Sequence, residues 1–229
     1  MAEGLPPIHD FVRFWQKSEA ATLAACVKFR KTPLPGWTLA WLRHAAPIIM
    51  TRELSEIALR HAVREKVFPE AQPSVLKAVE LFWKFVEKHQ WKGKSLSPGG
   101  YELASGLVIK VEPIGRYFSQ HTKSEWVVSL QPRQDDIPSD EQFSMWRSAL
   151  SYTYCTDTDA AMIVDLSKNT VSQKRQLREI TRTKFRLLAA NELNERLELV
   201  AACYRKATEL IPERPSRPKL ENLEPDFGF

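Results

Sequence analysis

Three short apolar runs decide the fold of this chain: GLVIKVEP at 106–113, EWVVSLQPR at 125–133 and AAMIVDL at 160–166. Each is short and rich in β-branched residues, which is typical of strands. The residues between the second and third runs, 139–154, show a helical pattern. The two adjacent strands predict a hairpin, and the strand–helix–strand order predicts a parallel pair joined by a right-handed crossover. We therefore expect an α/β fold, a small mixed sheet of roughly three to five strands surrounded by helices.

Apolar residues recur with helical spacing on both sides of this sheet-forming stretch. Before it we expect helices over 8–31, 37–50, from Thr51 as N-cap to 68, and from 73 to about 90, with a loop at 93–100. After it we expect a helix over 172–190, a bend at 191–194 and a last helix to 211. The chain is therefore divided into a helical N-terminal region packed on the core (1–95), the core with its C-terminal helices (96–211) and an extended, proline-rich tail (212–229).

Charge, cysteine content and hydropathy limit the classes of protein to which this chain can belong. A net charge of +5 and a pI of about 9.1 are compatible with nucleic acid as a partner but do not demonstrate it. The three cysteines form no CxxC pair, which argues against a zinc ribbon or an iron–sulfur cluster and fits a reducing cytoplasm. No apolar run approaches the roughly 20 residues that span a bilayer. We therefore predict a cytoplasmic protein that has no signal peptide and does not enter a membrane.

Common catalytic and cofactor motifs are missing from the sequence. No two of the five histidines are spaced i, i+4, so no metal site is predicted, and no glycine-rich phosphate loop occurs. No GxSxG motif accompanies a serine, although a Ser–His–acid triad assembled from distant residues stays open.

Basic residues recur after the third strand. Arg175, Arg178, Arg182 and Arg186 are spaced by three, four and four positions, which places them on one face of the expected helix, and Lys174 adds charge. Guanidinium groups donate paired hydrogen bonds to phosphate oxygens, so this face predicts contacts with a nucleic acid. The alternative is a solvated face, or a face paired with acids elsewhere in the fold.

The tail LENLEPDFGF at 220–229 is acidic and ends in two aromatic residues, Phe227 and Phe229. It predicts docking, either on a partner protein or on the body of the same chain. The alternative is a frayed terminus.

Four segments carry a resemblance to a known family: Gly106–Ile109, Val127–Arg133, Gln142–Trp146 and Ala161–Leu166. Over about residues 101–168 the chain resembles the core of the PD-(D/E)XK nucleases, and its RecB-type branch in particular. The resemblance implies an αβββαβ core. In that family one strand carries an aspartate, the next ends in (D/E)-x-K, and the following helix begins with a glutamine.

The nuclease chemistry of the family is not retained in these segments. Ile109 stands at the aspartate position and Gln131-Pro-Arg133 at the (D/E)-x-K position, while Gln142 alone is kept. Two carboxylates there would hold Mg²⁺, which activates the attacking water, and isoleucine and glutamine cannot replace them.

The first hypothesis is therefore a non-catalytic nucleic-acid-binding or accessory subunit on an inactivated nuclease-like fold, with no catalytic residue and no cofactor. Lys110, Arg133 and the basic helix would contact phosphates. The second hypothesis is a Mg²⁺-dependent nuclease whose ligands have moved to Glu112 and Asp135, with Gln142 beside them. The third is an assembly subunit that docks a partner protein through the tail.

Overall fold

A computed structural model describes residues 5–32, 40–67, 69, 71–133, 137–156, 160–169, 171–172, 174–181, 185–213 and 215. Its helices are α1 (Ile8–Phe11), α2 (Glu19–Lys31), α3 (Ala40–Thr51), α4 (Glu56–Lys66), α5 (Gln72–His89), α6 (Asp140–Tyr154) and α7 (Ala190–Leu210), with a 3₁₀ turn at Val12–Phe14. Its strands are β1 (Lys92–Ser95), β2 (Gly99–Glu102), β3 (Val108–Val111), β4 (Gly115–Ser119), β5 (Ser124–Gln131), β6 (Ala161–Asp165) and β7 (Arg178–Ile180).

The main sheet contains five strands in the order β1-β4-β5-β6-β7, and β2 and β3 form a separate two-stranded sheet. All neighbours in the main sheet are antiparallel except β5 and β6, which run parallel with Val128 opposite Met162. Helix α6 connects this parallel pair. The α/β fold with a mixed sheet and the strand–helix–strand unit are thereby confirmed.

The predicted hairpin is wrong. The strand at 106–113 is β3, which pairs with β2, and the hairpin partner of β5 is β4. The sequence gives little sign of β4, because only five residues beginning with a glycine make up the strand. The expected loop at 93–100 is likewise wrong, since β1 and the start of β2 lie there.

Strands β5 and β6 lie at the centre of the sheet and are covered on both faces. All five residues of β6 and the last five of β5 are buried, as the near-continuous apolar runs indicate. Val127 and Ile163 pack into one hydrophobic cluster with α6 and α7, while Val128 and Val164 pack into the other with α3, α4 and α5. The molecule therefore has a helical layer on each face of the sheet.

The N-terminal helices are shared between these two layers. The first residues, including Phe11 and Phe14, and helix α2 pack with α6 and α7, whereas α3 to α5 cover the opposite face. The predicted N-terminal region 1–95 therefore packs on both faces of the sheet, and its last four residues are β1.

Serine side chains begin three of the helices. Ser18 and Ser55 accept hydrogen bonds from backbone N–H groups of α2 and α4, so Ser55, and not Thr51, caps α4. Ser139 forms a capping box with Gln142 at the start of α6. No described helix is long and apolar enough to cross a membrane.

The helix expected over 172–190 is absent from the described part of that stretch. Arg178–Ile180 is the edge strand β7, which pairs with β6, and Lys168 and Arg175 form an isolated β-bridge. The backbone hydrogen bonds that β7 forms with the edge of β6 outweigh the helical tendency that the residue spacing indicates. The arginines therefore do not share a helix face. The predicted bend at 191–194 is also wrong, because α7 runs through it.

A fully buried arginine closes the end of α7. Arg30 on α2 donates two hydrogen bonds to the carbonyl of Ile211, at 3.0 and 2.8 Å, and one to Pro212, at 2.6 Å. Ile211 and Pro212 directly follow α7, so these bonds fasten the end of α7 to α2 and satisfy the guanidinium, which is buried.

We expect Arg30→Met to lower the free energy of unfolding by about 2–3 kcal/mol, because it removes three hydrogen bonds of a charged side chain that join α2 to the end of α7. Urea denaturation followed by circular dichroism measures this change. The matched control is Arg205→Met on the exposed side of α7, expected to stay within about 0.5 kcal/mol of the parent. Equal stability of the two variants would contradict the assignment.

Candidate functional site

A group of charged side chains surrounds His9 where α1, α3, β3 and the end of β5 meet. We call it the His9 cluster. Its members are His9, Asp10, Arg13, Arg43, Lys110, Glu112 and Arg133.

Local sequence explains how each segment presents its side chain. Pro7 precedes α1 and accepts the first backbone hydrogen bonds of that turn. Strand β3 alternates exposed and buried residues, so Lys110 points outward, and Glu112 follows the strand. Strand β5 ends at Gln131, and Pro132, which has no N–H to donate, carries the chain out of the ladder so that Arg133 leaves the sheet.

Two arginines hold His9 in place from below. Arg13 donates from Nε to the carbonyl of His9 at 3.1 Å. Arg43 contacts Nε2 of the imidazole and donates from its own Nε to the carbonyl of Leu130, on β5, at 3.1 Å. The His9 ring lies 5.9 Å from the ring of Trp146 on α6. The cluster is therefore tied to both the sheet and the crossover helix.

Two ion pairs complete the His9 cluster. Lys110 Nζ lies 2.5 Å from Glu112 Oε1, and Arg133 Nη2 lies 2.6 Å from Asp10 Oδ1. The two carboxylates also flank His9, each 3.7 Å from one ring nitrogen. The Lys110 side chain is 56% exposed and that of Arg133 is 29% exposed, so both cations face solvent.

The histidine at the centre of the cluster is neutral and lies among cations. Burial lowers the pKa of His9 well below its ordinary value, and the charges of Arg43 and Arg133 lower it further, so the imidazole is neutral at pH 7. Burial also lowers the pKa of Arg43 to about 10, which leaves the guanidinium charged at neutral pH. Nη2 of Arg43 has no hydrogen-bond partner among the described residues.

The structure brings together three of the residues singled out in the sequence: Lys110, Glu112 and Arg133. Of the proposed basic helix, Arg175 donates instead to the carbonyls of Pro132 and Leu166, at 2.9 and 2.8 Å. These bonds fasten the segment after β6 to the end of β5. Lys174, which directly precedes Arg175, is exposed.

Two further arginines of that row bind acids within the fold, as the alternative interpretation expects. Arg178 donates to the fully buried Asp165 at 2.7 Å, and Arg186 pairs with Glu192 at the start of α7. Arg182 lies outside the described residues. The predicted helix is wrong, because Arg178 lies on β7, where it neutralises a buried carboxylate.

The residues of the nuclease alternative do not assemble a metal site within the described ranges. Gln142 accepts from the backbone of Ser139 and donates to the carbonyls of Arg13 and Trp15, so its amide is occupied. Glu112 lies among cations. Asp135 lies outside the described residues, as do Phe227 and Phe229 of the tail. Among the described residues, no group of three or more His, Cys, Asp or Glu side chains could hold a metal ion.

The residues compared with the nuclease motifs lie in different sheets. Ile109 is fully buried on β3, which belongs to the small two-stranded sheet, whereas Gln131 ends β5 in the main sheet. Gln131 is also fully buried, and neither atom of its amide has a hydrogen-bond partner among the described residues.

Sequence reasoning missed His9, Asp10, Arg13 and Arg43. They lie on α1, on the 3₁₀ turn that follows it and on α3, all far from β5 in the chain, and nothing in their spacing links them to Arg133. The cluster depends on how the N-terminal helices pack, which periodicity alone does not specify.

A cleft of about 550 Å³ adjoins the cluster beside Arg13. It lies between the start of α2 and the start of α6, and Lys17 and Gln142 contribute to its walls. A smaller cleft of about 310 Å³ lies elsewhere, beside Arg116 and Trp126.

A Ser–His–Glu constellation also forms, joining α5, β4 and β7. Ser119 Oγ lies 2.8 Å from His89 Nδ1, and His89 Nε2 lies 3.2 Å from Glu179 Oε1. These are the residue types of a catalytic triad, but the two ring nitrogens are exchanged, since the triad serine contacts Nε2 and the acid contacts Nδ1. Ser119 and His89 are completely buried, however, and the His89 ring stacks on Trp91 with a centroid separation of 4.5 Å. No substrate can reach this serine, so the constellation is structural.

Comparison with known proteins found no match: no family model fits the chain, and no curated protein and no solved structure is detectably similar to it.

We expect the Glu179 carboxylate to stabilise the fold in a pH-dependent way. Its contact with Nε2 of His89, and then its hydrogen bond from Lys88, lower the pKa of Glu179 to about 2. Because the folded-state pKa is depressed, the stabilisation is present above the unfolded pKa of about 4.3 and is lost as the pH falls toward 2. Glu179→Gln should therefore cost about 1–2 kcal/mol at pH 7 and flatten the fall in stability below pH 4.5.

Thermal unfolding measured from pH 7 to pH 2.5 checks this expectation. Glu209→Gln, at an exposed site on α7, is the matched control and should follow the parent. An unchanged pH profile in Glu179→Gln would show that the His89 contact contributes nothing.

Proposed function

We propose that this protein is a non-catalytic nucleic-acid-binding or accessory subunit that contacts phosphates through the His9 cluster. The observation that carries the proposal is the gathering of cations from separate segments: Arg43, Lys110 and Arg133 lie around a neutral histidine, and Lys110 and Arg133 face solvent. The proposal keeps Lys110 and Arg133 as contacts and replaces the basic helix with Arg13 and Arg43.

Physical chemistry favours phosphate as the ligand of such a cluster. Arginine and lysine donate short, charge-assisted hydrogen bonds to phosphate oxygens. Arg13 is buried and Arg43 is partly buried, so their charges are screened less by water and salt than fully exposed charges. They raise the electrostatic potential at the surface where Lys110 and Arg133 are accessible, which attracts an anionic backbone.

The order of elements supports the link to the nuclease-like core. Helix α5, strands β1, β4 and β5, helix α6 and strand β6 follow one another in the αβββαβ order that the resemblance implies, with the β2–β3 hairpin inserted after β1. The cationic surroundings of Glu112 favour an anion over Mg²⁺ at this position. These features favour a binding role over a metal-dependent nuclease.

Two further expectations from the sequence belong to the same proposal. One is a cytoplasmic location, and the other is a protein partner that binds the acidic, aromatic tail.

The proposal predicts salt-sensitive binding of nucleic acids that depends on the two exposed cations. In mobility-shift titrations with single- and double-stranded DNA and RNA, Lys110→Gln and Arg133→Gln should each weaken binding about tenfold at low salt. Each should also reduce the slope of log affinity against log salt by about one.

Lys94→Gln removes the same charge from the exposed edge strand β1 and is the matched control. Binding by the parent that is unaffected by Lys110→Gln and Arg133→Gln would refute the site. Cleavage of the substrate that appears only with Mg²⁺ would instead support the nuclease.

A further inference from the structure

The cleft beside Arg13 adjoins the His9 cluster, because Arg13 belongs to both. One wall is formed by residues between Arg13 and Ser18, ahead of α2, and the other by residues at the start of α6. Its volume of about 550 Å³ lies within the range of roughly 300–1,000 Å³ that small-molecule sites occupy. The cleft is therefore large enough to hold one group of a ligand whose remainder lies on the cluster.

The walls of this cleft combine apolar surface with uncharged polar groups. Trp15, Ala21 and Ile137 supply the apolar part. The hydroxyls of Ser18 and Ser139 accept backbone hydrogen bonds that cap α2 and α6, so both are engaged within the fold. A ligand group in the cleft therefore meets apolar surface and needs a polar partner other than these two serines.

Gln16 supplies such a partner. Its backbone N–H donates to Oγ1 of Thr22 at 3.0 Å, which fixes the chain at this point. Its side chain is exposed and forms no hydrogen bond with any residue that the structure describes. A carboxamide offers a donor and an acceptor side by side, which is the pattern that pairs with the edge of a base, adenine above all.

A nucleobase fits this cleft better than a second phosphate does. A base is flat and uncharged, with apolar faces and a polar edge, and the walls offer matching groups. The carboxylate of Glu141, on the wall formed by α6, repels an anion. Bases of a duplex are stacked and paired, so only an unpaired base can enter a cleft.

We propose that the cleft beside Arg13 binds one unpaired base of a strand whose phosphates contact Lys110 and Arg133, which makes single-stranded nucleic acid the ligand. The inference rests on the proposed function and narrows its ligand class. The phosphate contacts provide affinity that depends on salt, and the base contact discriminates single strands from duplexes.

The test is a fluorescence-anisotropy titration with one DNA strand in three forms: single-stranded, paired with its complement, and abasic throughout at the same length. An RNA strand of the same sequence is a fourth probe, and chelator is present to prevent cleavage. We expect the single strand, as DNA or as RNA, to bind about tenfold more tightly than the duplex and the abasic strand. The abasic strand carries the same phosphates, so this difference measures the bases.

Ala21→Phe fills the cleft from the first turn of α2 and leaves the cations in place. It should weaken binding of the single strand about tenfold, to the affinity of the abasic strand, and leave the abasic strand within about twofold. Ala24→Phe, exposed one turn later on α2 and not among the residues that line the cleft, is the matched control and should bind as the parent does.

A second variant keeps the test valid should Ala21→Phe fail to fold by circular dichroism. Gln16→Ala removes the amide and retains the backbone bond to Thr22, and should weaken binding of the single strand about threefold. Gln120→Ala, in the turn after β4, removes a carboxamide elsewhere and is its control.

The outcomes separate the two proposals. Failure of every probe to bind would overturn the proposed function and this inference with it. Equal binding of the single strand and the abasic strand would overturn this inference alone. Displacement of the strand by a free nucleoside monophosphate at the concentration of the strand's own Kd would identify a mononucleotide site and also overturn it. Equal affinities of Ala21→Phe and Ala24→Phe for the single strand would place the base contact outside the cleft.

Discussion

The parallel pairing of β5 with β6 is the constraint on which the rest of the molecule depends. Parallel strands are stable only when both faces are covered, and here α6 and α7 cover one face while α3 to α5 cover the other. The pairing also places the carboxyl ends of β5 and β6 side by side. Pro132 ends the first strand there, and Arg175 fastens the chain beyond the second strand to it. The polar site forms at this edge because the strands end there and the helices of both layers approach it.

Charge burial at this edge follows from the same packing. The 3₁₀ turn after α1 places Arg13 beside His9, and α3 places Arg43 there, so the imidazole cannot also become charged without cost. Asp10 and Glu112 flank the neutral ring and pair with Arg133 and Lys110, which face solvent. Cations gathered in this way attract anions, and this is the physical basis of the proposed phosphate site.

The sequence predicted those parts of the fold that depend on local pattern. The apolar runs identified β5 and β6, and the helical pattern over 139–154 identified α6. It missed β4 and replaced β7 with a helix, because edge pairing depends on a neighbouring strand and not on the residues of the strand itself. For the site, Lys110 and Arg133 were identified through the strands that carry them. His9 and Arg43 were not, because their positions result from long-range packing between helices that no spacing in the sequence encodes.

The arginine side-chain Nε–Hε spectrum, recorded while an oligonucleotide is added, tests the central claim most directly. The phosphate-binding account predicts a large shift of the Arg133 signal and a smaller one for Arg43 beneath it. The signals of Arg178 and Arg186, which bind acids of the fold, should remain unchanged. A spectrum in which those two move and Arg133 does not would place the contact surface elsewhere and contradict the account.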